Sequence, residues 1–192
     1  KYAGIWCLVE DEKAQIVGDR FPMDNWDCSV KEYYFTNTIE GEKWQMIRTD
    51  IMKKFPMPAI HIQGLYVGES IMWMPMSKAF LFRCINVPLR KYYSSDDGIM
   101  QTNKKSDTFK WHGYYLQFHY LFKDFGSYFL YSPGYFLKGM ILFQYANLKL
   151  KKSFFRELLV IKPAFIQFIF LISFFFLPFV MIYKYYQQIA KR

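Results

Sequence analysis

Few residues of this chain have the types and spacing that catalysis or metal binding requires. The three histidines, His61, His112 and His119, do not stand at metal-ligand spacing with a cysteine or with one another, so we predict no metal site. The chain also has no glycine-rich phosphate loop, no Gly-x-Ser-x-Gly sequence and no Cys-x-x-Cys sequence. These are the motifs of nucleotide binding, serine hydrolysis and thiol redox chemistry. Their absence argues against these three classes of function.

The cysteines leave two alternatives open. Cys7, Cys28 and Cys84 are too few for a disulfide scaffold. One alternative is a single bridge, for which Cys7 and Cys28 are the candidate pair, with one free thiol. The other is three buried thiols, since a free cysteine packs as a small apolar side chain. A bridge would indicate an oxidising compartment.

Charge and length limit the classes of partner. The 192 residues carry a formal charge of +9, and 22% of them are aromatic. That length fits one domain and one additional element. A basic chain can bind nucleic acid, but the basic residues here are scattered except for two clusters, at 149–162 and 184–192, that flank an apolar segment. We therefore expect no nucleic-acid partner and, because basic residues flank the apolar segment, contact with lipid headgroups.

The apolar segment at 163–183 has no charged residue. An α-helix of this length spans about 30 Å, the thickness of a hydrocarbon core. Tyr183 and Tyr185 would form an aromatic belt at one interface, and Gln167 and Phe174 would contact lipid or a neighbouring helix. We predict a transmembrane helix at 163–183, a basic helical lead-in at 149–162 and a short basic tail at 184–192.

Residues 1–148 contain no long stretch with a 3.6-residue repeat. Short runs rich in β-branched and aromatic residues recur between turn sequences instead, which is typical of antiparallel β structure. The pattern predicts a hairpin of 31–39 with 43–49, and strands at 59–66, 70–74, 79–85, 108–122, 127–131 and 139–145. About eight or nine strands at hairpin spacing fit a small barrel or sandwich.

Four short sequences occur in an order that resembles a known family. They are Gly4-Ile5-Trp6, the segment GDRFPMDNWDC at 18–28, the segment WQMIRT at 44–49, and the segment YFLY at 128–131. In this order they resemble violaxanthin de-epoxidase-like lipocalins. The resemblance implies a closed barrel plugged at one end by Trp6, in which Trp26, Trp44 and Tyr128 line the interior. A carotenoid or a lipid would be the ligand of such a barrel.

The resemblance also implies a candidate catalytic acid. Asp24 matches the aspartate that is thought to act as the acid on a carotenoid epoxide in the enzymes of this family, and such a reaction needs a proton donor and a reducing cosubstrate. The chain lacks the family's cysteine-rich and acidic regions, which argues against activity. The alternative is that Asp24 and Asp27 belong to a turn, where aspartate is favoured for its bonds to the backbone.

We thus predict a mainly β protein, a lipocalin-like antiparallel barrel followed by a single C-terminal transmembrane helix. The many large aromatic residues at 118–136 indicate a surface that contacts a partner. The chain begins at Lys1 without a methionine, which we interpret as a removed targeting peptide or a truncated sequence. The predicted function is a non-catalytic accessory subunit of a large energy-transducing complex in an organelle membrane. A photosystem or antenna assembly of the plastid thylakoid is preferred, and the alternative is a supernumerary subunit of a respiratory or ATP-synthase complex in the mitochondrial inner membrane. Its partners would be other membrane-protein subunits and the lipid bilayer.

Two alternatives to the accessory subunit remain at this point. One is a membrane-tethered carotenoid de-epoxidase that uses Asp24 as its acid. The other is a lipocalin that carries a carotenoid or a lipid in the mouth of its barrel.

Overall fold

The computed structural model describes residues 1–37, 39–57, 67–93 and 107–189. Contacts divide the chain into two compact units, one formed by Lys1–Gly64 with Gly68–Thr102 and the other by Leu65–Val67 with Asn103–Arg192. The first, called the sheet unit below, holds the described strands, and the second, called the helical unit, holds the long helices.

The described strands of the sheet unit form one open mixed sheet. They are β1 (Tyr2–Glu10), β2 (Trp26–Cys28), β3 (Lys43–Ile47) and β4 (Leu81–Lys91), in the order β2-β4-β1-β3. β1 is antiparallel to β3 but parallel to β4, and β2 is antiparallel to β4. Cys7, Leu8 and Val9 are buried in succession, because β1 is a central strand that is covered on both faces.

The predicted lipocalin-like antiparallel barrel is therefore wrong. β2 and β3 stand at opposite ends of the strand order, so the sheet stays open, whereas a barrel closes on itself. The parallel pair of β1 and β4 is also incompatible with hairpin-connected strands, because parallel neighbours need a long crossover connection.

The hairpin predicted at 31–49 does not form. β3 is a strand, but it pairs with β1, while Lys31–Thr36 is a short π-helical segment. Tyr33 and Phe35 of this segment are buried, and the Tyr33 ring packs on Trp6 with centroids 4.3 Å apart. Burial of these two rings overrides the local preference for a strand, because strand propensity depends strongly on packing context.

Two α-helices, α1 (Thr49–Met52) and α2 (Ser70–Ala79), complete the described sheet unit. The strand predicted at 70–74 is wrong, because α2 is buried around most of its circumference and therefore lacks a visible helical period. The strand predicted at 79–85 overlaps β4. The strand predicted at 59–66 lies outside the described residues.

The helical unit consists of α3 (Asp107–Phe125), a 3-10 segment (Gly126–Tyr131), α4 (Pro133–Lys149), α5 (Phe154–Val160) and α6 (Ala164–Ile189). The strands predicted at 108–122, 127–131 and 139–145 are wrong. In α3, the buried residues Phe118, Leu121, Phe122 and Phe125 recur every three or four positions, which is the spacing of one helix face.

Helix α6 contains the segment predicted to span a membrane. Among the described residues, no helix combines the length and the apolar character that a membrane crossing requires. The predicted transmembrane helix at 163–183 is therefore wrong, and so is the single-pass location in an organelle membrane. One side of α6 packs against other helices of the unit instead, since Phe170 and Ser173 are buried. The side-chain amide of Gln144 on α4 donates to the Phe170 carbonyl and to Ser173 Oγ, both at 2.7 Å.

Candidate functional site

The aromatic residues predicted to line a barrel lie in three places. Trp6 and Trp26 are buried in the sheet unit, where both rings contact Tyr33. Trp44 is on β3 at the end of the strand order, and the Arg90 guanidinium lies 4.4 Å from its ring centroid. Tyr128 belongs to the 3-10 segment of the helical unit. The structure thus brings together only the first two of the four residues.

The two aspartates of the family-like segment have different environments. Asp24 is exposed in a turn before β2. Asp27 accepts hydrogen bonds from Arg83 Nε at 2.8 Å and Arg83 Nη2 at 3.0 Å, and also from the Tyr2 hydroxyl. The hydrogen bonds from Arg83 and then from Tyr2 lower the pKa of Asp27 to about 2. A carboxyl group held ionised in this way is a poor proton donor at neutral pH.

All three cysteines are free and buried. Cys28 Sγ lies 3.3 Å from Cys84 Sγ, while the Cys7 thiol donates to the Trp44 carbonyl at 3.4 Å. The candidate pair Cys7 and Cys28 does not meet, because β4 lies between the strands that carry them. The contact with Cys28 and burial raise the pKa of the Cys84 thiol, which keeps it protonated and weakly nucleophilic.

The residues predicted to contact lipid or a partner lie on α6. The Gln167 side-chain amide donates to the Ile161 carbonyl at 2.9 Å, so its hydrogen bond goes to a backbone oxygen of the same unit. Phe174 is partly exposed and packs on Phe154 with ring centroids 4.9 Å apart. Tyr183 and Tyr185 lie in the last part of α6, outside the residues whose side chains the structure describes.

The first candidate site is a row of large apolar side chains along α6. Ile166, Phe170 and Ser173 form its buried side. On the remaining surface Phe168 is 63% exposed and Phe175 is 73% exposed. We call this surface the α6 outer face; it consists of Phe165, Phe168, Leu171, Ile172, Phe175 and Phe176. A patch of this kind is typical of an interaction surface.

The second candidate site is a pocket of about 460 Å³ in the helical unit. Helix α3 contributes side chains one turn apart, and the turn before α5 together with α5 itself contributes the remainder. We call it the basic pocket; its lining residues are Tyr115, His119, Lys151, Lys152, Ser153, Arg156, Glu157 and Val160.

Glu157 is the buried centre of the basic pocket, with a side chain only 4% exposed. The Tyr115 hydroxyl donates to Glu157 Oε1 at 2.9 Å, and His119 Nδ1 lies 2.9 Å from Glu157 Oε2. Each carboxylate oxygen therefore has a partner, as a buried charge requires. Burial and then the hydrogen bond to Glu157 raise the pKa of Tyr115, so its hydroxyl remains a donor.

Two cations of the pocket, Lys151 and Lys152, stand at a sharp turn between α4 and α5, and Arg156 lies in the first turn of α5. Lys151 has a left-handed backbone with φ of 54°, and the Lys152 amide donates to the Asn147 carbonyl at 2.9 Å. Lys152 Nζ lies 5.2 Å from the Tyr115 ring centroid, a favourable cation–π distance. Within the part of the chain that the structure describes, Lys151, Lys152 and Arg156 form no ion pair with a carboxylate.

Comparisons with known proteins identify no relative. No protein-family model, no curated protein and no solved structure matches the chain. The described residues also contain no group of three or more His, Cys, Asp or Glu side chains that could hold a metal ion. A function must therefore be inferred from the geometry of the two candidate sites.

Sequence reasoning missed most of the basic pocket. Tyr115 and His119 are four residues apart, a spacing that brings them within one turn of each other only if the segment is helical, because four residues of a strand span about 13 Å. Of the other histidines, His112 lies on α3, where burial and then the charge of Lys152 lower its pKa, and His61 lies outside the described residues. The basic cluster at 149–162 is the signal that the sequence offers, but its position beside an apolar segment indicates lipid headgroups rather than a pocket.

Proposed function

We propose that the protein is a non-catalytic accessory subunit of a larger protein assembly, attached through the α6 outer face. The observation that carries this proposal is that α6 is apolar on two sides. Its own unit buries the side with Ile166 and Phe170, while Phe168 and Phe175 on the outer face are exposed. A helix that is apolar all round is normally buried all round, so a second protein surface would complete its packing.

The energetics of the outer face support this attachment. Full burial of a Leu, Ile or Phe side chain stabilises a complex by about 1.5–3 kcal/mol. The outer-face side chains are already partly covered, so each would contribute less, but together they would provide several kcal/mol. That gain is needed to offset the loss of translational and rotational freedom on association.

The chemistry of the outer face specifies the partner. No charged residue occurs from 163 to 183, so recognition would rest on apolar packing rather than on ion pairs. The matching partner is an apolar helix of another subunit, packed into the grooves between the phenylalanine rings.

The environments of the candidate chemical residues favour a non-catalytic role. Asp24 is exposed in a turn, and Asp27 is paired with Arg83. The three thiols are buried, and burial raises the pKa of Cys7 as well as that of Cys84. None of these environments activates an acid or a nucleophile.

The test is native-gel migration of the tagged chain in its source cells, with mass spectrometry of the band. Wild-type protein is expected in one assembly much larger than its own 23.3 kDa, together with a fixed set of subunits. Phe168→Glu and Phe175→Glu are expected to release the chain as a small species, because each places a charge at the centre of the apolar contact.

Tyr93→Glu is the matched control, since Tyr93 is an exposed aromatic residue of the sheet unit, and it is expected to leave the assembly intact. Circular dichroism melts of all three variants check that the fold is retained. Wild-type protein that migrates alone, or outer-face variants that remain in the assembly, would contradict the proposal.

A further inference from the structure

We propose that the basic pocket binds a phosphoryl group, as inorganic phosphate or as a phosphate monoester. This inference is independent of the accessory-subunit function, since the pocket-lining residues are distinct from those of the α6 outer face. It rests on the charge of the lining residues, on the way Tyr115 and His119 occupy both oxygens of Glu157, and on the size of the cavity.

The charges of the pocket select an anion. Lys151, Lys152 and Arg156 stand against a single carboxylate, Glu157, which leaves a formal excess of two positive charges when His119 is neutral. The three cations belong to a stretch of six residues and form no ion pair with the described carboxylates. Like charges gathered at one cavity repel one another, and a bound dianion would relieve that repulsion.

Glu157 does not compete for the site. Both of its oxygens face partners on α3, with Tyr115 on Oε1 and His119 on Oε2, and its side chain is buried. The carboxylate therefore acts as a support that holds the imidazole in one orientation.

The turn between α4 and α5 and the Tyr115 ring together restrict the position of Lys152 before a ligand binds. The left-handed residue Lys151 turns the chain, the Lys152 amide is tied to the end of α4, and Lys152 Nζ stays close to the Tyr115 ring. A site that is already arranged loses less conformational entropy on binding.

Charge and size favour a phosphoryl group over a simple carboxylate. A phosphate dianion matches the formal excess of two charges, and an Arg beside two Lys is a typical phosphate-binding set, with Arg as a bidentate donor and Lys as a point charge. The cavity of about 460 Å³ lies in the size range of small-molecule sites. It therefore has room for an organic group esterified to the phosphate.

The test is isothermal titration of the full chain with inorganic phosphate, and separately with vesicles of phosphatidylcholine that contain phosphatidic acid. The wild-type protein is expected to bind one phosphoryl group, and more weakly as salt rises. Arg156→Gln and Lys152→Gln are each expected to weaken binding about tenfold, since each removes a charge-assisted contact. Lys138→Gln is the matched control, because Lys138 is an exposed lysine on α4 away from the pocket, and it should bind like wild type.

The two titrations distinguish the source of the group. Saturable binding of inorganic phosphate that is lost in Arg156→Gln supports a site for a soluble phosphate. Binding to phosphatidic acid vesicles alone, with the same loss, supports a site for a lipid phosphate. Absence of binding in both titrations, or binding that Arg156→Gln and Lys138→Gln weaken equally, would overturn the proposal. Thermal melts confirm that these exposed substitutions leave the fold unchanged.

Discussion

At the scale of single residues, the segment at 18–28 contains two aspartates with different roles. One is the candidate acid that the family resemblance implies, and the other stabilises the sheet. Asp24 was the candidate acid by resemblance, but it is exposed in a turn. Three residues later, Asp27 joins β2 to β4 through its ion pair with Arg83. Tyr2 of β1 also reaches this pair, since its hydroxyl accepts a hydrogen bond from Arg83 Nη2 at 2.9 Å. Asp27 thus connects three strands of the sheet at its surface.

We expect Asp27→Asn to destabilise the protein in a pH-dependent way. The folded pKa of Asp27, about 2, is below its ordinary value of 3.8, so the stabilisation is fully present above about pH 4 and is lost as the pH falls toward 2. Because the pair is partly exposed, the loss at pH 7 should not exceed about 1 kcal/mol. Urea unfolding of wild type and Asp27→Asn at pH 7 and near pH 2.5 measures this loss of unfolding free energy.

Asp24→Asn is the control for this experiment and should leave the free energy of unfolding unchanged at both pH values. An Asp27→Asn effect that persists undiminished at the low pH would contradict the assigned ion pair.

At the scale of elements, the helical unit depends on close packing between α3 and α4. Gly139 and Phe118 are both buried, and a Cβ placed on Gly139 would lie 2.6 Å from Phe118 Cε1. The Phe118 ring also packs on Tyr114 and Phe122 of its own helix, so it has little room to move. The absence of a side chain at Gly139 therefore allows the two helices to approach.

We expect Gly139→Val to lower the free energy of unfolding by about 1–3 kcal/mol, the usual cost of overpacking a core. Gly134→Ala is the matched control in the same helix, because a Cβ there meets nothing within 4 Å. It should be neutral or stabilising by up to about 1 kcal/mol, since alanine favours a helix over glycine. Equal stability of the two variants in urea titrations would show that α3 and α4 do not pack at Gly139.

At the scale of the whole molecule, the chain divides into a sheet unit and a helical unit, and all three cysteines belong to the sheet unit. Cys28 and Cys84 are 56 residues apart in sequence but their sulfur atoms are in contact. Their burial makes the thiols reporters of global unfolding, because a reagent reaches them only when the unit opens.

We expect none of the three thiols to react with a disulfide reagent such as dithionitrobenzoate in the native protein, and all three to react once the protein is unfolded without a reductant. The physical reason is that all three are free and buried, and that burial and protonation both suppress attack by a thiol. Absorbance at the thionitrobenzoate band gives the number of thiols that have reacted. A single reactive thiol after unfolding would show that Cys28 and Cys84 are bridged, and fast native labelling would show that the sheet unit is open.

The sequence by itself determined the features that depend on residue type and local pattern. A strand near 43–49, a strand near 79–85 and a helix over the apolar segment 163–183 are all present. The common reason is that each is a run whose own composition favours one conformation in most surroundings.

Only the tertiary structure decided the rest. The segments 108–122 and 139–145 are rich in aromatic residues, which suit either a strand or a buried helix, and packing between helices selected the helix. The partner of Cys28 followed from the position of β4 between β1 and β2. The basic pocket joins Tyr115 to Glu157 across 42 residues, and no local spacing encodes a contact at that separation because it forms only when the intervening helices fold back on one another.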